Sequence, residues 1–302
     1  MAHLRVQLFG GVRVERGGVA VANLTRTLEG LVAFLALNHH RTHPRDVLYT
    51  HFWGDQPEDR ARRCLNTAIW RLRQLLEPPG TPRGSVLVST PAGEVGLAWP
   101  PDARLDVDEF EHAALRLGET SAGPLAADEL ELLDRAVAGP RGELLEGWYD
   151  GWALEARERL RVLLIRALGD LTAAHRRAGD YRAALRTADR ALALDPLRED
   201  VVRELMRAAL AAGDRATALQ RYRDLRRRLR TDLGVEPLPE TQALFQAIAV
   251  PGSHPSSESQ SATGSPPAPI QRTIHDLARI RRRLAAAIRD LEASLPDLPA
   301  DR

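Results

Sequence analysis

The chain has 302 residues, of which 44% are hydrophobic and 27% are charged, and its formal net charge is only +1. This composition is typical of a soluble protein with more than one core, and no window reaches the roughly 18 uninterrupted apolar residues of a membrane span. All 42 basic residues are arginine, which excludes a P-loop, a kinase-type catalytic lysine and a lysine Schiff base. A single cysteine and the lack of a signal peptide predict a cytoplasmic protein without membrane attachment.

The small net charge hides an uneven distribution. Residues 1–100 carry 12 arginines against 8 acidic residues, and residues 101–250 carry 23 against 27. Residues 251–302 carry 7 against 6. The change of sign near residue 100 coincides with the boundary that we predict between two domains, 1–100 and 101–250.

The first hundred residues begin with short strands and continue with helices. Three strands separated by glycine pairs are predicted at residues 4–9, 12–15 and 19–21. Apolar spacing predicts a helix over 25–40, and Pro44 suits the first turn of a second helix that runs to about Trp53. A third helix opens near Pro57, and a hairpin follows at residues 87–90 and 95–99. This order predicts a winged helix-turn-helix with an extra N-terminal sheet.

The third predicted helix, residues 58–77, has two different faces. At 100° per residue one side carries an apolar row that would anchor it: Ala61, Leu65, Ala68, Ile69, Leu72 and Leu76. The candidate DNA-binding residues lie opposite this row or on its flanks: Arg63, Thr67, Trp70 and Gln74 in the centre, Arg60 and Arg71 on one flank, Asn66 and Arg73 on the other.

These residue types suit the edges of DNA bases. In the major groove, which admits a helix, arginine recognises guanine, asparagine recognises adenine, and a threonine methyl group can contact the thymine methyl group. The alternative is an amphipathic helix with an ordinary solvated face. An outward Trp70 and the terminal hairpin favour DNA.

Residues 4–99 resemble the OmpR-type winged-helix domain, and CLNTAIWRLRQLLE (64–77) resembles its recognition helix. The resemblance assigns Arg71 and Arg73 to the family's two arginines, Thr67 to a base-contacting position, and Thr90 to the wing, which enters the minor groove or contacts phosphate. The chain departs from the family at Trp70 and in the second wing strand, where Gly-Tyr is usual. No receiver domain precedes the winged helix, so we expect no switch by aspartate phosphorylation in cis.

The predicted helical region from residue 105 to 248 contains an internal repeat. AGDYRAAL (178–185) and AGDRATAL (212–219) share alanine, glycine, aspartate and leucine at an offset of 34 residues. The same offset relates Leu171 to Leu205 and Ala174 to Ala208. A period of 34 is typical of tetratricopeptide repeats, which are paired antiparallel helices that stack into a solenoid.

Together the two parts resemble the AfsR/DnrI/RedD family of Streptomyces antibiotic regulatory proteins. Three segments of the helical region carry this resemblance: ELLEGWYDGW (143–152), ALALDPLREDVVRELM (191–206) and LGVEPLPETQALF (233–245). The fold class expected is mainly α with a small β component, an OmpR-like winged helix followed by an all-α tetratricopeptide-like activation domain. The resemblance implies a transcriptional activator of biosynthetic gene clusters that binds direct repeats in double-stranded DNA and contacts RNA polymerase with its sigma factor. A homodimer on the DNA is a separate hypothesis, which depends on the C-terminal segment. We expect no cofactor.

Two other classes of function are weighed against the activator. A tetratricopeptide adaptor would use the winged helix for protein contact only, and would show negligible affinity for DNA. An enzyme would need a pocket with convergent acid, base or nucleophilic groups, and no such constellation is legible in the sequence.

The last fifty residues are predicted as a linker and a helix. Residues 251–269 are rich in proline and serine, which is typical of a flexible linker. Residues 270–295 carry leucine and isoleucine in a heptad that is interrupted at Arg281. Such a helix would either pair two protomers or fold back on the repeats.

Several residues have a plainer interpretation than a functional one. His39, His40 and His43 are expected to cap the first helix rather than bind a metal. Cys64 is expected to be a buried structural cysteine rather than a redox switch. The run from Arg226 to Arg228 is expected on a solvated helix face.

Two tryptophans are expected in the core of the second domain. Trp148 and Trp152 are four residues apart and would share one helix face. We expect them to pack the entrance of the repeat domain rather than form a ligand cage.

Overall fold

The computed structural model describes residues 4–77, 80–119, 125–138 and 142–249. The predicted linker 251–269 and the predicted helix 270–295 lie outside these residues. The N-terminal part follows the predicted order of strands, helices and hairpin, with β1 (Leu4–Gln7), β2 (Arg13–Arg16), β3 (Val19–Ala20), α1 (Arg26–Leu37), α2 (Arg45–Trp53), α3 (Glu58–Leu76), β4 (Leu87–Ser89) and β5 (Val95–Leu97).

The N-terminal sheet contains a strand that the sequence analysis did not predict. β6 (Arg104–Leu105) pairs parallel with β1, so the strand order is β3-β2-β1-β6. The next residue, Asp106, accepts hydrogen bonds from the backbone nitrogen atoms of Leu8 and Phe9 at 2.9–3.0 Å. Burial raises the pKa of this carboxyl group, although the backbone donors oppose the shift. The start of the helical region is therefore bonded directly to the end of β1.

The rest of the described chain is helical, as predicted. Its helices are α4 (Asp106–Glu119), α5 (Ala127–Ala138), α6 (Gly151–Arg177), α7 (Tyr181–Leu194), α8 (Glu199–Ala211), α9 (Arg215–Leu233) and α10 (Pro239–Ala249). α6 packs on α7 and α8 packs on α9, which makes two helical hairpins. None of the described helices is both long enough and apolar enough to cross a membrane.

The 34-residue repeat is visible in the geometry of the two hairpin turns. Gly179 and Gly213 both have φ of +81°, in the left-handed region that glycine adopts readily. Asp180 accepts a hydrogen bond from the Ala183 nitrogen at 2.9 Å, and Asp214 accepts from the nitrogen atom of Thr217 at the same distance. Each Gly-Asp pair thus ends one helix and caps the next, which makes the turn between the two helices of a pair.

An aromatic cluster joins the winged helix to the helical region. Trp148 and Trp152 are 5% and 9% exposed, which confirms that they are core residues. Trp148 precedes α6 instead of lying on it, so the prediction that the two share one helix is wrong. The ring centroid of Trp152 lies 5.5 Å from that of Phe34 on α1 and 5.9 Å from that of Phe52 on α2.

The segment before α6, residues 142–150, is hydrogen-bonded to the chain just after β1. The backbone nitrogen of Leu145 donates to the carbonyl oxygen of Leu8 at 2.8 Å. The backbone nitrogen of Gly10 donates to the backbone carbonyl oxygen of Glu143 at 2.8 Å. Leu145 has φ of +50°, which a non-glycine residue seldom adopts. Arg157 on α6 donates to the carbonyl oxygens of residues 144, 145 and 148 at 2.7–2.9 Å. These contacts link α6, the segment and β1 into one structure.

Candidate DNA-binding surface

The candidate surface is the side of α3 that faces away from its domain. All six residues of the predicted anchoring row are buried: Ala61, Leu65, Ala68, Ile69, Leu72 and Leu76. The helix begins after Pro57, whose carbonyl oxygen accepts from the backbone nitrogen atoms of Arg60 and Ala61. Glu58 and Asp59 occupy its first turn, where the helix dipole favours acidic residues. The buried row sets the rotation of α3 and so decides which side chains face outward.

The centre of the outward face consists of Arg63, Thr67, Trp70 and Gln74, which are all exposed as predicted. Trp70 is 61% exposed, an unusual degree for an indole. The Thr67 hydroxyl group donates to the Arg63 carbonyl oxygen at 3.0 Å. Because the hydroxyl hydrogen is used within the helix, Thr67 offers a partner its methyl group and a hydroxyl oxygen that can only accept.

One flank of this face is cationic. Arg60 and Arg71, with Arg63 from the centre of the face, line a cavity of about 350 Å³ between α3 and the start of α1. Thr25, Thr27, Trp53 and Cys64 are among its other lining residues. None of the three guanidinium groups has an acidic partner among the described residues. Three arginines close together on α3 and without acidic partners repel each other and attract anions.

The other flank is tied to neighbouring elements. Arg73 is half-buried, and its Nη2 donates to Ser89 Oγ at 2.9 Å and to the Leu87 carbonyl oxygen at 3.3 Å. Asn66 is exposed, but its Oδ1 accepts from Arg45 Nη1 at 2.7 Å. Arg45 was not among the predicted site residues. No local pattern marks it, because its contact with Asn66 depends on how α2 packs against α3.

The wing is the hairpin of β4 and β5. The nitrogen of Gly93 donates to the Thr90 carbonyl oxygen at 2.9 Å, which closes the turn, and Gly93 has φ of +84°. Thr90 Oγ1 accepts from the nitrogen atom of Glu94 at 3.1 Å. The Glu94 carboxylate in turn accepts a hydrogen bond from the Thr42 hydroxyl group. Thr90 therefore shapes the turn, and Glu94 fastens it to the chain before α2.

Glu77, just after α3, orders the chain that leads into the wing. Its carboxylate accepts from the backbone nitrogen atoms of Gly84, Val86 and Leu87 at 2.8–3.1 Å. Burial opposes ionisation, but these donors, helped by Arg73, outweigh it and hold the pKa of Glu77 below its ordinary value. An ionised Glu77 thus fixes β4 relative to the outward face of α3.

The comparison with known proteins matches this architecture. Residues 20–93 match the family described as "Transcriptional regulatory protein, C terminal", and residues 105–249 match the "Bacterial transcriptional activator domain". The chain is 30% identical to the transcriptional regulator RedD of Streptomyces coelicolor over 246 residues, which cover 78% of this chain and 67% of RedD. The chain belongs to the AfsR/DnrI/RedD family of transcriptional regulators.

Other relatives of this family differ in length. The chain is 33% identical to the regulatory protein AfsR of Streptomyces coelicolor over 248 residues, which cover 81% of this chain but only 24% of AfsR. It is 27% identical to the transcriptional regulatory protein MoaR1 of Mycobacterium bovis over 254 residues, with 81% of this chain and 79% of MoaR1 covered. The chain thus spans about a quarter of the length of AfsR and most of that of MoaR1.

A solved structure shares the fold of this family member. It is Mycobacterium tuberculosis EmbR in complex with a low-affinity phosphopeptide, with a TM-score of 0.70 and 24% identity. The match covers 82% of this chain and 65% of that chain. At this identity the likeness supports the fold alone, and it agrees with the predicted winged helix followed by helical repeats.

Other candidate residues of this family member have structural roles. Asn38, not a histidine, caps α1, because its Nδ2 donates to the Phe34 carbonyl oxygen at 2.9 Å. His39 stacks on Trp99 and lies 2.9 Å from an Asp108 oxygen, and His43 is buried. The expected capping role is therefore wrong for these histidines. The described residues contain no group of three or more side chains that could hold a metal ion.

The predictions for Cys64 and for the arginine run on α9 have different outcomes. Cys64 is partly exposed in the cavity beside Arg60 and Arg63, so the expectation that it is buried is wrong. The run from Arg226 to Arg228 is exposed on α9, and Arg226 pairs with Glu236 at 2.7 Å. This confirms a solvated helix face.

Proposed function

We propose that this chain activates transcription of secondary-metabolite genes by binding direct repeats near promoters and recruiting RNA polymerase with its sigma factor. Membership of a family of DNA-binding transcriptional regulators supports the general role. The observation that carries the proposal is the outward face of the anchored helix α3. It carries Arg60, Arg63 and Arg71 without acidic partners among the described residues, and its other flank is bonded to the wing through Arg73.

The proposed recognition uses three parts of this surface. The centre and flanks of α3 enter the major groove, where Arg71 donates to guanine and the Thr67 methyl group contacts thymine. Arg60 and Arg63 neutralise backbone phosphates. Arg73 contacts DNA and holds the wing through Ser89, so the Thr90 turn follows the helix to the backbone.

The second part of the proposal concerns the polymerase. The winged helix and the helical region share a buried aromatic cluster, which supports a composite surface that meets the polymerase in one orientation. Direct repeats place two copies in the same orientation on the DNA, and we propose a homodimer in that arrangement.

A salt-titrated mobility shift on the promoters that flank the gene tests this function. Wild type is compared with Arg71→Ala and with Arg228→Ala, a matched control that removes an exposed arginine on α9. We expect wild type to shift DNA that contains the spaced repeats selectively. Arg71→Ala should weaken this binding by about 1–3 kcal/mol, and Arg228→Ala should bind as wild type does. In vitro transcription with polymerase and sigma factor then tests activation from the shifted promoter.

The alternative is an adaptor whose winged helix contacts only protein, with the exposed Trp70 as part of that contact. In that case neither specific nor scrambled DNA would shift at any low salt concentration. Equal loss of binding in both arginine variants would show that only the total charge matters, and would overturn base recognition by Arg71.

A further inference from the structure

Arg45, the first residue of α2, connects the recognition helix to the wing. Its Nη1 donates to Asn66 Oδ1 at 2.7 Å, and its Nε donates to the Gly93 carbonyl oxygen at 2.8 Å. The two bonds use different nitrogen atoms of one rigid, planar guanidinium group. Because the Gly93 bond holds one edge of that plane, the position of the other edge beside Asn66 is also fixed.

The chemistry of this pair decides the orientation of the Asn66 amide. A guanidinium group has donors and no acceptor, so the amide atom that faces Arg45 must be the oxygen. The amide nitrogen, with its two hydrogen atoms, is left for the outward side. No described residue accepts a hydrogen bond from Asn66 Nδ2. Asn66 therefore presents a donor with a cation next to it.

This arrangement changes the base that Asn66 suits. Adenine recognition needs the asparagine oxygen to accept from the adenine N6 amino group while the nitrogen donates to N7. Here Arg45 occupies one lone pair of that oxygen, and an adenine amino group that approached the other would bring its hydrogen atoms toward the positive charge of the guanidinium group. Guanine presents two acceptors, N7 and O6, which suit an amide donor beside a guanidinium group.

We infer that Arg45 is a positioning residue that makes Asn66 select guanine over adenine in the major groove. The inference rests on the proposed binding of DNA by α3. It replaces the adenine preference expected from the asparagine alone. It also couples specificity to the wing, because the same guanidinium group holds the Gly93 turn.

The test is a base-substitution series at one position of the bound site. That position is the one at which wild type prefers one base and the Asn66→Ala variant does not. Wild type, Arg45→Met and Asn66→Asp are compared by fluorescence anisotropy on sites with each of the four bases there. Arg41→Met is the matched control, since Arg41 bonds only to Asn38 among the described residues and loses the same charge. Circular dichroism verifies that each variant is folded.

Wild type and Arg41→Met are expected to prefer guanine over adenine by about tenfold. Arg45→Met frees the asparagine oxygen and should shift the preference toward adenine, while overall affinity falls less than selectivity. Asn66→Asp keeps the acceptor for Arg45 but loses the donor, so the guanine preference should disappear. If Arg45→Met does not fold, the Asn66→Asp variant tests the inference.

Each opposite result has a distinct meaning. An adenine preference in wild type, or a guanine preference that survives Asn66→Asp, overturns the inference while DNA binding stands. An Arg45→Met protein that is folded and keeps the wild-type ratio of guanine to adenine also overturns it. Failure of wild type to bind any site selectively would instead contradict the proposed function.

Discussion

The guanidinium carbon of Arg26 lies 4.3 Å from the centre of the Trp148 ring, and Arg26 Nη2 donates to the Gly147 carbonyl oxygen at 2.5 Å. Arg26 is the first residue of α1, whereas Trp148 belongs to the segment before α6. This cation–π pair therefore joins the winged helix to the helical region. Gly30, one turn further along α1, makes room for the indole beneath it.

Replacing Gly30 by alanine should destabilise the chain. An added Cβ would lie 2.6 Å from Trp148 Cζ3 and 3.0 Å from a Phe52 ring atom, and neither ring is free to move in a packed cluster. We expect urea denaturation to show a loss of about 1–3 kcal/mol. Gly151→Ala is the control, because no atom lies within 4 Å of its added Cβ. Equal stability of the two variants would mean that the cluster adapts.

Glu77→Gln should weaken the structure in a pH-dependent way. The folded-state pKa of Glu77 is lowered, so its stabilisation is complete above the pKa of the unfolded chain, about 4.3, and is lost as the pH falls through the folded value. At pH 7 we expect the variant to be about 1–2 kcal/mol less stable, because three backbone donors lose their charged acceptor. The difference should shrink in acid.

Urea titrations between pH 3 and pH 7 measure this difference. Glu155→Gln, which removes an exposed carboxylate on α6, serves as the control and should match wild type at every pH. A gap between wild type and Glu77→Gln that does not change with pH would assign the loss to packing.

His43 should make stability fall in mild acid. Burial, followed by the charge of Arg41, lowers the pKa of His43, while the carboxylate of Glu94 opposes the shift. Between that folded value and about 6.5 the unfolded chain binds the additional proton, so stability rises with pH there and is complete above about 6.5. His43→Phe should flatten the pH dependence of the thermal midpoint between pH 5 and 7.

The control for this experiment is His112→Gln, which removes an exposed imidazole. A His43→Phe protein with the same pH dependence as wild type would show that another group controls the acid sensitivity.

The two capping aspartates should have equivalent roles. Asp180→Ala removes the acceptor for the Ala183 nitrogen and should cost about 1 kcal/mol of stability. Asp214→Ala removes the equivalent bond to Thr217 and should lower stability as well. Asp232→Ala, in the last turn of α9, is the control. A loss in only one repeat, measured by urea denaturation, would contradict their equivalence.

Arg60→Ala should reduce affinity for DNA without changing sequence preference. If Arg60 neutralises one phosphate, the slope of log binding constant against log salt should fall by about 1, equally on specific and scrambled sites. Arg62→Ala should leave the slope unchanged, because Arg62 is already paired with Glu58. A changed base preference in Arg60→Ala would instead place this residue at a base edge.

The sequence predicted the features that depend on near neighbours in the chain. The apolar row of α3 follows from helical spacing, and both hairpin turns follow from a Gly-Asp pair whose effect is local. The family resemblance added the assignment of α3 and the wing, which periodicity alone would have left open against a solvated helix. The predicted bounds of β4 and β5 were close because a glycine-containing turn limits the hairpin.

Only the tertiary structure decided the contacts between distant parts of the chain. β6 has two residues and is a strand only because it pairs with the edge of β1. Trp148 lies before α6 instead of on it, and it packs against α1. The orientation of the Asn66 amide likewise depends on Arg45, 21 residues away on another helix. Local periodicity specifies which face of an element is buried. How the elements pack together decides which partner buries that face. It also decides which polar groups contact the exposed side chains.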